Sequence, residues 1–548
     1  MTDATLRAET DLVEAAPVGD IEGALGTVSA QDTGARRTWG RRLLTLAAIV
    51  GPGLIVMIGD NDAGGVSTYA QAGQQFGTTL LWSLLLLIPI LIISQEMVVR
   101  LGAVTGVGHA RLIRERFGRV WSWFSVGDLF FLNFLTIITE FIGVSLGLSY
   151  FGVPPTVSVP IAGAALVGFT LTGSFRRWER FMFVLVAISL LFIPLLVMTH
   201  PHGPVTILRH TFIPGVQGGV SSAAVLLLVA IVGTTVAPWQ LFFQQSNVID
   251  KRITPRWIRY ERADTVIGAF ATNIAAGGYI CLVAFAVAGT AFAGKFTDAG
   301  GVAEALHHTV GYWAGALFAI ILIDASIIGA ACVTLSSAYA FGDTFNLSHS
   351  LHRKFTDAKG FYGAYAAQVA FAAAVVLIPG APLGTLTEYV QVLAGVLLPS
   401  ATLFLLLLCN DQGVLGPWVN RLWLNIVTGV IIAVLVVLSL ILTVNALFPA
   451  IDVPTMTAVL FAAMGITLVV GGTGALVRRQ RLRRVGLAVD PLAEVRDLDR
   501  RTWRMPPVAL VSRPVTTRFR TFCLVTLRGY LIVAVIMLAV KLGQAIVR

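Results

Sequence analysis

The sequence predicts an all-α integral membrane protein of about twelve spans, with the first and sixth of them broken. Three observations carry this. Hydrophobic residues make up 56% of the 548 and charged ones only 12%, and apolar runs recur along nearly the whole chain. Each run is about twenty residues, enough to cross a hydrocarbon core of roughly 30 Å. Lysine and arginine gather in alternate loops, as they do when successive loops face opposite sides of a bilayer. Two of the runs carry glycine, proline and polar residues at their centres.

Taken in order, residues 1–35 are polar, acid-rich and poor in aromatics, the composition of a disordered tail. With the pairs Arg36-Arg37 and Arg41-Arg42 they make an N-terminal region, 1–42, that lacks the apolar segment of a signal peptide. Ten spans follow at 43–76, 79–100, 121–150, 156–173, 181–200, 220–249, 264–292, 311–341, 359–380 and 386–409. Two more, 421–447 and 454–478, form an accessory unit, 410–478. A basic linker, 479–520, leads to a last apolar stretch, 521–548, where Arg528 and Lys541 leave open whether it spans or lies at the interface.

The loop after the second span holds Arg111, Arg114, Arg116 and Arg119, and the next loop on that side Arg176, Arg177 and Arg180. Lys251, Arg252, Arg256, Arg259 and Arg262 follow, then Arg353, Lys354 and Lys359. The intervening loops offer little beyond Arg209 and Lys295. This alternation predicts a multi-pass plasma-membrane protein with a cytoplasmic N-terminus.

The formal charge of +10 is spread over these loops rather than clustered, so it argues for topology and against nucleic acid as a partner. Cys281, Cys332, Cys409 and Cys523 are isolated, which supports neither a disulfide framework nor a zinc site. The chain has no Walker A loop, no GxGxxG and no HExxH, so no enzyme class is indicated and no cofactor is expected.

The first break lies in GPGLIVMIGDNDAGGVSTYAQAGQQFG, Gly51–Gly77. Carboxylates within an apolar span are costly, and glycines beside them free backbone carbonyls that a membrane tolerates only around a cavity. Together these are hard oxygen ligands, suited to a hard cation. Asp62 is also well placed to cap the resumed helix, a role compatible with ion binding. The second break lies in SSAAVLLLVAIVGTTVAPWQLFFQQS, near Gly233-Thr234-Thr235 and Pro238. Alone it reads as a proline kink. The two breaks are five spans apart, though, and an odd repeat runs inverted through the membrane. Paired broken helices in inverted halves point to a midplane site in a secondary transporter.

These residues resemble the NRAMP family of divalent-metal transporters. Its first-span Asp-Pro-Gly-Asn motif matches Asp62-Ala63-Gly64-Gly65, and its sixth-span Ala-Thr-Val-Met-Pro-His motif matches Thr234-Thr235-Val236-Ala237-Pro238-Trp239. The similarity extends over about residues 43–445 and includes LGAVTGVGHARLIRERFG, GSFRRWERF, RYERADTVIGAF and QVLAGVLLPSA. It implies a LeuT-type fold, five plus five inverted spans, with 43–409 as the transport core. It also implies metal contacts from the Asp62 carboxylate, the backbone carbonyls of Gly59 and Thr234, and Gln391 in the tenth span. Asp60, one residue from the break, adds acidic character to the pathway.

The departures carry the specificity. Gly65 stands where the family has an asparagine ligand and Ala237 where it has a methionine. A thioether favours softer metals, and its loss leaves oxygen ligands around a roomier site. Magnesium keeps several of its waters. The pattern is similar to the NRAMP-related magnesium transporters, a branch that carries magnesium and manganese. Proton coupling is also in question. Trp239 replaces a histidine that can titrate, and the third span keeps Glu140 but has Ile137 in place of an aspartate. The expectation is divalent transport coupled weakly or not at all to protons. The alternatives are a proton-coupled manganese or iron transporter of the same family and a LeuT-type carrier of amino acids or other organic substrates. For the latter, Asp62 would repel a substrate carboxylate. Glu96, Asp128, Asp324 and Glu388 read as helix-end or paired carboxylates. His200, His202 and His210, with Glu304, His307 and His308, read as ordinary loop residues. The sequence fixes no oligomeric state.

Overall fold

The computed structural model describes residues 19–511 apart from 33, 35, 381, 449–450 and 485–497, together with 524, 525, 528, 529 and 532. All twelve expected spans are helical. Among the described residues, nine helices are long and apolar enough to cross a membrane by length and composition. The other three spans are the broken first one and the shorter helices Pro155–Thr170 and Lys359–Val376. The sixth, eighth and tenth spans (Ser222–Asp250, Tyr312–Phe345 and Leu383–Cys409) are central, with 89%, 78% and 83% of their apolar windows buried. The fifth, Phe175–Met198, and twelfth, Val453–Gly474, are peripheral at 22% and 11%.

Apolar packing falls into two large clusters. One gathers the ends of the spans nearest the basic loops, with Val98, Ile113, Phe243 and Tyr339 among its members. The other gathers the opposite ends, with Leu84, Val229, Tyr279 and Leu306. The first span passes from one cluster to the other: Ile55 and Ile58 belong to the former, Ala63 and Val66 to the latter. The sixth does the same between Val236 and Ala237. Both breaks therefore lie at the seam of the two clusters, away from either water-facing end.

Three features depart from expectation. Residues 19–32 are not a free tail. Strands β1 (Ile21–Gly23) and β2 (Gly26–Val28) pair antiparallel, and Ile21, Ala24 and Val28 are buried against the first span. The hairpin's Ala24 N–H donates to Glu179 Oε2 at 2.5 Å. The other oxygen of that carboxylate pairs with Lys251 Nζ at 2.5 Å, and the same ammonium donates to the Val50 carbonyl at 2.7 Å. A hydrogen-bonded ion pair of this kind is what a buried Lys and Glu require. Residues 1–18 lie outside the described residues.

The first span also bends by 55° between Trp39–Ile49 and Pro52–Ile58. Gly51 adopts φ 154°, which only glycine accommodates readily, and Pro52 restarts the helix. Asp264 Oδ2 accepts the Gly51 and Gly53 N–H groups at 3.0 and 2.7 Å, and Oδ1 that of Leu54 at 3.1 Å. The fifth span is interrupted at Leu190-Leu191, because Pro194 has no N–H for the Leu190 carbonyl. The apolar stretch 521–548 falls almost wholly outside the described residues. Of those that are described, Leu524 is buried and Arg528 lies over the Phe124 ring at 5.3 Å.

Candidate metal site at the paired helix breaks

The half-helix Pro52–Ile58 ends in a tightened turn, with Asp60 N–H donating to Met57 O and Asn61 N–H to Ile58 O at 3.2 and 3.0 Å. Asp62 is then extended (φ −67°, ψ −175°), and its Oδ1 accepts the Gly65 N–H at 2.7 Å. This caps the second half-helix, Ala63–Phe76. In an unbroken helix the Ala63 N–H would pair with the Gly59 carbonyl. Here it donates to Glu140 Oε2 at 3.1 Å, which releases that carbonyl.

The sixth span stops at Thr235 and resumes at Pro238. Proline has no N–H, so the Thr234 carbonyl loses its i+4 donor. The Thr235 carbonyl is taken by Gln240 Nε2 at 3.4 Å, and Gln240 Oε1 by Gln95 Nε2 at 2.9 Å. Tyr69 OH and Thr235 Oγ1, 2.8 Å apart, tie the two broken spans together.

Glycines show how closely the parts meet. A β-carbon on Gly65 would lie 3.1 Å from Thr234 Oγ1, 3.4 Å from Asp62 Oδ1 and 2.6 Å from the Asp60 carbonyl. One on Gly64 would collide with Gln391 Nε2 at 1.8 Å, so the tenth span lays its amide directly over the first break. One on Gly59 would lie 3.3 Å from Trp239 Cη2. Asp60, Asp62, Thr234, Ala237, Trp239 and Gln391 are all buried. The indole closes one side of this cluster and the amide the other.

Of the residues singled out in the sequence, Asp62, Gly59, Gly65, Thr234, Gln391 and Trp239 are brought together, and Ala237 caps the resumed sixth span beside them. Glu140 also reaches the site, within hydrogen-bonding distance of Asp62. Thr234 Oγ1, Gln391 Nε2 and both Asp60 carboxylate oxygens are buried without a hydrogen-bond partner. Buried polar atoms left unmatched are costly, and a cation or its waters would satisfy the oxygens. Turning the Gln391 amide by half a rotation presents its oxygen instead of its nitrogen. The donor set is then carboxylate, carbonyl, hydroxyl and amide oxygen, the chemistry of a hard divalent ion. Among the described residues there is no group of three or more His, Cys, Asp or Glu placed to hold a metal. An ion held here would need backbone carbonyls and water to supply the balance.

The remaining candidates lie elsewhere. Glu96 is paired with Arg100 at 3.2 Å and with Arg262. Glu388 hydrogen-bonds Gln71. Asp128 is half-buried away from the breaks. Asp324 is buried with neither oxygen partnered, contrary to the expected pairing. His210 bonds Thr78 Oγ1 at 2.7 Å, and His307 bonds Tyr150 OH at 3.3 Å.

One residue escaped the sequence reading. A β-carbon on Gly329 in the eighth span would lie 2.6 Å from both Asp62 Cβ and Glu140 Oε2, so Gly329 forms the wall behind the site. Its signal was the small residues Gly329, Ala330 and Ala331 in succession, which let helices approach closely. Gly143 acts alike, with its missing side chain replaced by Ser326 and Ala63.

The family described as natural resistance-associated macrophage protein-like matches residues 53–445. Divalent metal cation transporter MntH of Staphylococcus aureus is 25% identical over 423 residues, covering 73% of this chain and 91% of that protein. Among solved structures, the manganese transporter of Eremococcus coleocola in complex with an aromatic bis-isothiourea compound aligns with a TM-score of 0.60 at 19% identity. The alignment covers 81% of this chain and 97% of that one. A mutant of the same transporter aligns equally well, at 18% identity over 84% of this chain and 98% of its own. These likenesses show a shared fold.

Proposed function

The chain belongs to the natural resistance-associated macrophage protein-like family, and we propose that it is a transporter of divalent metal ions that works by alternating access. One observation carries this reading. Two helix breaks five spans apart bring Asp62, Thr234 and Gln391 together among buried polar atoms that lack hydrogen-bond partners. Both the Staphylococcus aureus and the Eremococcus coleocola relatives are described as metal transporters.

Within that class the substrate is a partly hydrated ion, magnesium with manganese as a second cargo. Gly65 and Ala237 bring no ligand atom beyond the backbone, so waters occupy the places where an amide and a thioether would coordinate. Replacing Ala237 by methionine restores a soft ligand. Uptake competition between the two ions then shifts toward manganese by about ten-fold, whereas an unchanged ratio argues that this position does not set selectivity.

Ion entry is driven by the membrane potential, with the basic loops and the N-terminus on the cytoplasmic side. A divalent ion gains about twice the roughly 2.3 kcal/mol per charge that 100 mV supplies, so no proton is required. The surroundings of Glu140 support this. Beyond its contact with Asp62 it borders a cavity of about 230 Å³ lined by Phe141, Val144, Leu166 and other residues that cannot titrate. Among the described residues lining that cavity, a proton reaching Glu140 meets no second titratable group to pass to. In proteoliposomes with an imposed inside-negative potential, magnesium and manganese enter without acidifying the lumen. Stoichiometric acidification instead favours the proton-coupled manganese or iron reading, which the family likeness supports about as well.

A further inference from the structure

A second polar pocket lies far from the helix breaks, where the second, seventh and eleventh spans meet on the basic-loop side. It encloses about 410 Å³ and, among the described residues, is lined by four arginines, Arg100, Arg262, Arg421 and Arg500, against a single acid, Glu96. Glu96 is already committed to Arg100 and Arg262. Arg100 is held rigidly, donating to the Trp418 carbonyl and Asn420 Oδ1 at 2.6 Å each. Even so, its Nε and that of Arg262 are buried with no partner. Arg262 and Arg500 each stand over the Trp418 ring at 5.8 Å, and the Trp418 indole N–H donates to the Arg500 carbonyl at 2.8 Å. Burial, then the nearby Arg421, Arg100 and Arg262 guanidiniums, push Arg500 below its usual pKa. Four like charges gathered around one space need an anion to balance them.

We propose that this pocket binds the phosphate headgroup of an anionic phospholipid from the leaflet on the basic-loop side. The pocket's other walls distinguish a lipid from a free anion. Ile92, Ile93, Leu424 and Trp423 line its remaining sides. The neighbouring Leu422, Trp423 and Ile426 are exposed on the outer face of the eleventh span, where that span meets lipid. A tryptophan among apolar residues at a span's end marks the depth of the headgroups. A phosphodiester is therefore met by guanidinium donors in fork geometry while its glycerol and acyl chains lie along an apolar wall. Inorganic phosphate would use the donors and gain nothing from that wall.

The bound lipid bridges parts of the chain that are remote in sequence. Arg500 belongs to residues 498–511, which pack against the bundle. Trp503 packs on Gly416, and Met505 N–H donates to the Val104 carbonyl at 3.2 Å. One headgroup thus joins the second and seventh spans of the core to the eleventh span and this segment. This holds whatever ion the protein carries.

Native mass spectrometry of the full chain, with phosphatidylglycerol and phosphatidylcholine offered at equal concentration, tests the proposal. Phosphatidylglycerol is retained at least about ten-fold more strongly, as expected for three uncompensated basic groups. The double substitution Arg421→Gln with Arg500→Gln removes most of that preference, and Arg421→Gln alone, at an exposed side chain, removes part of it. Arg421→Lys with Arg500→Lys keeps the charge and most of the preference. Equal retention of the two lipids, or a preference untouched by both glutamine variants, overturns the proposal. So does complete displacement of the lipid by millimolar inorganic phosphate, which would mark a site for free anions.

Discussion

Replacing Asp62 by alanine reduces divalent-cation uptake into proteoliposomes to the level of empty vesicles. The Asp62 carboxylate and Thr234 of the sixth span meet at Gly65, and a doubly charged ion cannot enter a buried apolar seam without an anion to meet it. The alanine variant also removes the helix cap to Gly65, a loss of about 1 kcal/mol in stability. Asp62→Asn separates the two effects. Its amide oxygen keeps the cap while the charge is gone, so uptake is lost with thermal stability nearly intact. Uptake that survives in Asp62→Asn would move the anionic ligand elsewhere, with Asp60 and Glu140 the nearest candidates.

Gly329→Ala is the second large effect. The added methyl group meets Asp62 Cβ and Glu140 Oε2 at 2.6 Å, a distance that real side chains do not tolerate. Asp62 Cβ is attached directly to the chain at the break, so the clash is relieved only by moving the break itself or the eighth span. Overpacking of this sort costs about 1–3 kcal/mol. Because Asp62 is the proposed anionic ligand of the ion, transport falls at least about ten-fold, which corresponds to about 1.4 kcal/mol in binding. Gly363→Ala, in the ninth span where a β-carbon meets nothing within 4 Å, leaves uptake unchanged and serves as the control. Equal activity in the two variants would mean that the eighth span does not back the site.

The span order and the two central breaks were legible because they are written in composition: about twenty apolar residues for a span, Gly-Asp-Asn-Asp or Thr-Val-Ala-Pro for a break. The convergence of Asp62 on Thr234 followed from the five-span spacing, which inverts the second half on the first. Gln391 and Trp239 came only through the family resemblance, since an amide or an indole in an apolar helix has no periodic signal. The hairpin at residues 21–28 was not legible at all. Its few apolar residues are sparse in a polar segment, and its anchor is the Glu179–Lys251 pair, distant in sequence. The bend at Gly51 had its signal in Gly-Pro-Gly, but Asp264, which stabilises that bend, lies more than two hundred residues away. Gly329 stayed hidden for a similar reason, because a glycine announces a close approach without naming what approaches.

Anomalous X-ray scattering from crystals soaked in manganese bears most directly on the central claim. A single strong peak is predicted between the Asp62 carboxylate and the Thr234 carbonyl, with Gln391 turned toward it. The peak should vanish in Asp62→Asn crystals. A peak beyond reach of Asp62, or none in a protein that still transports manganese, would contradict the account.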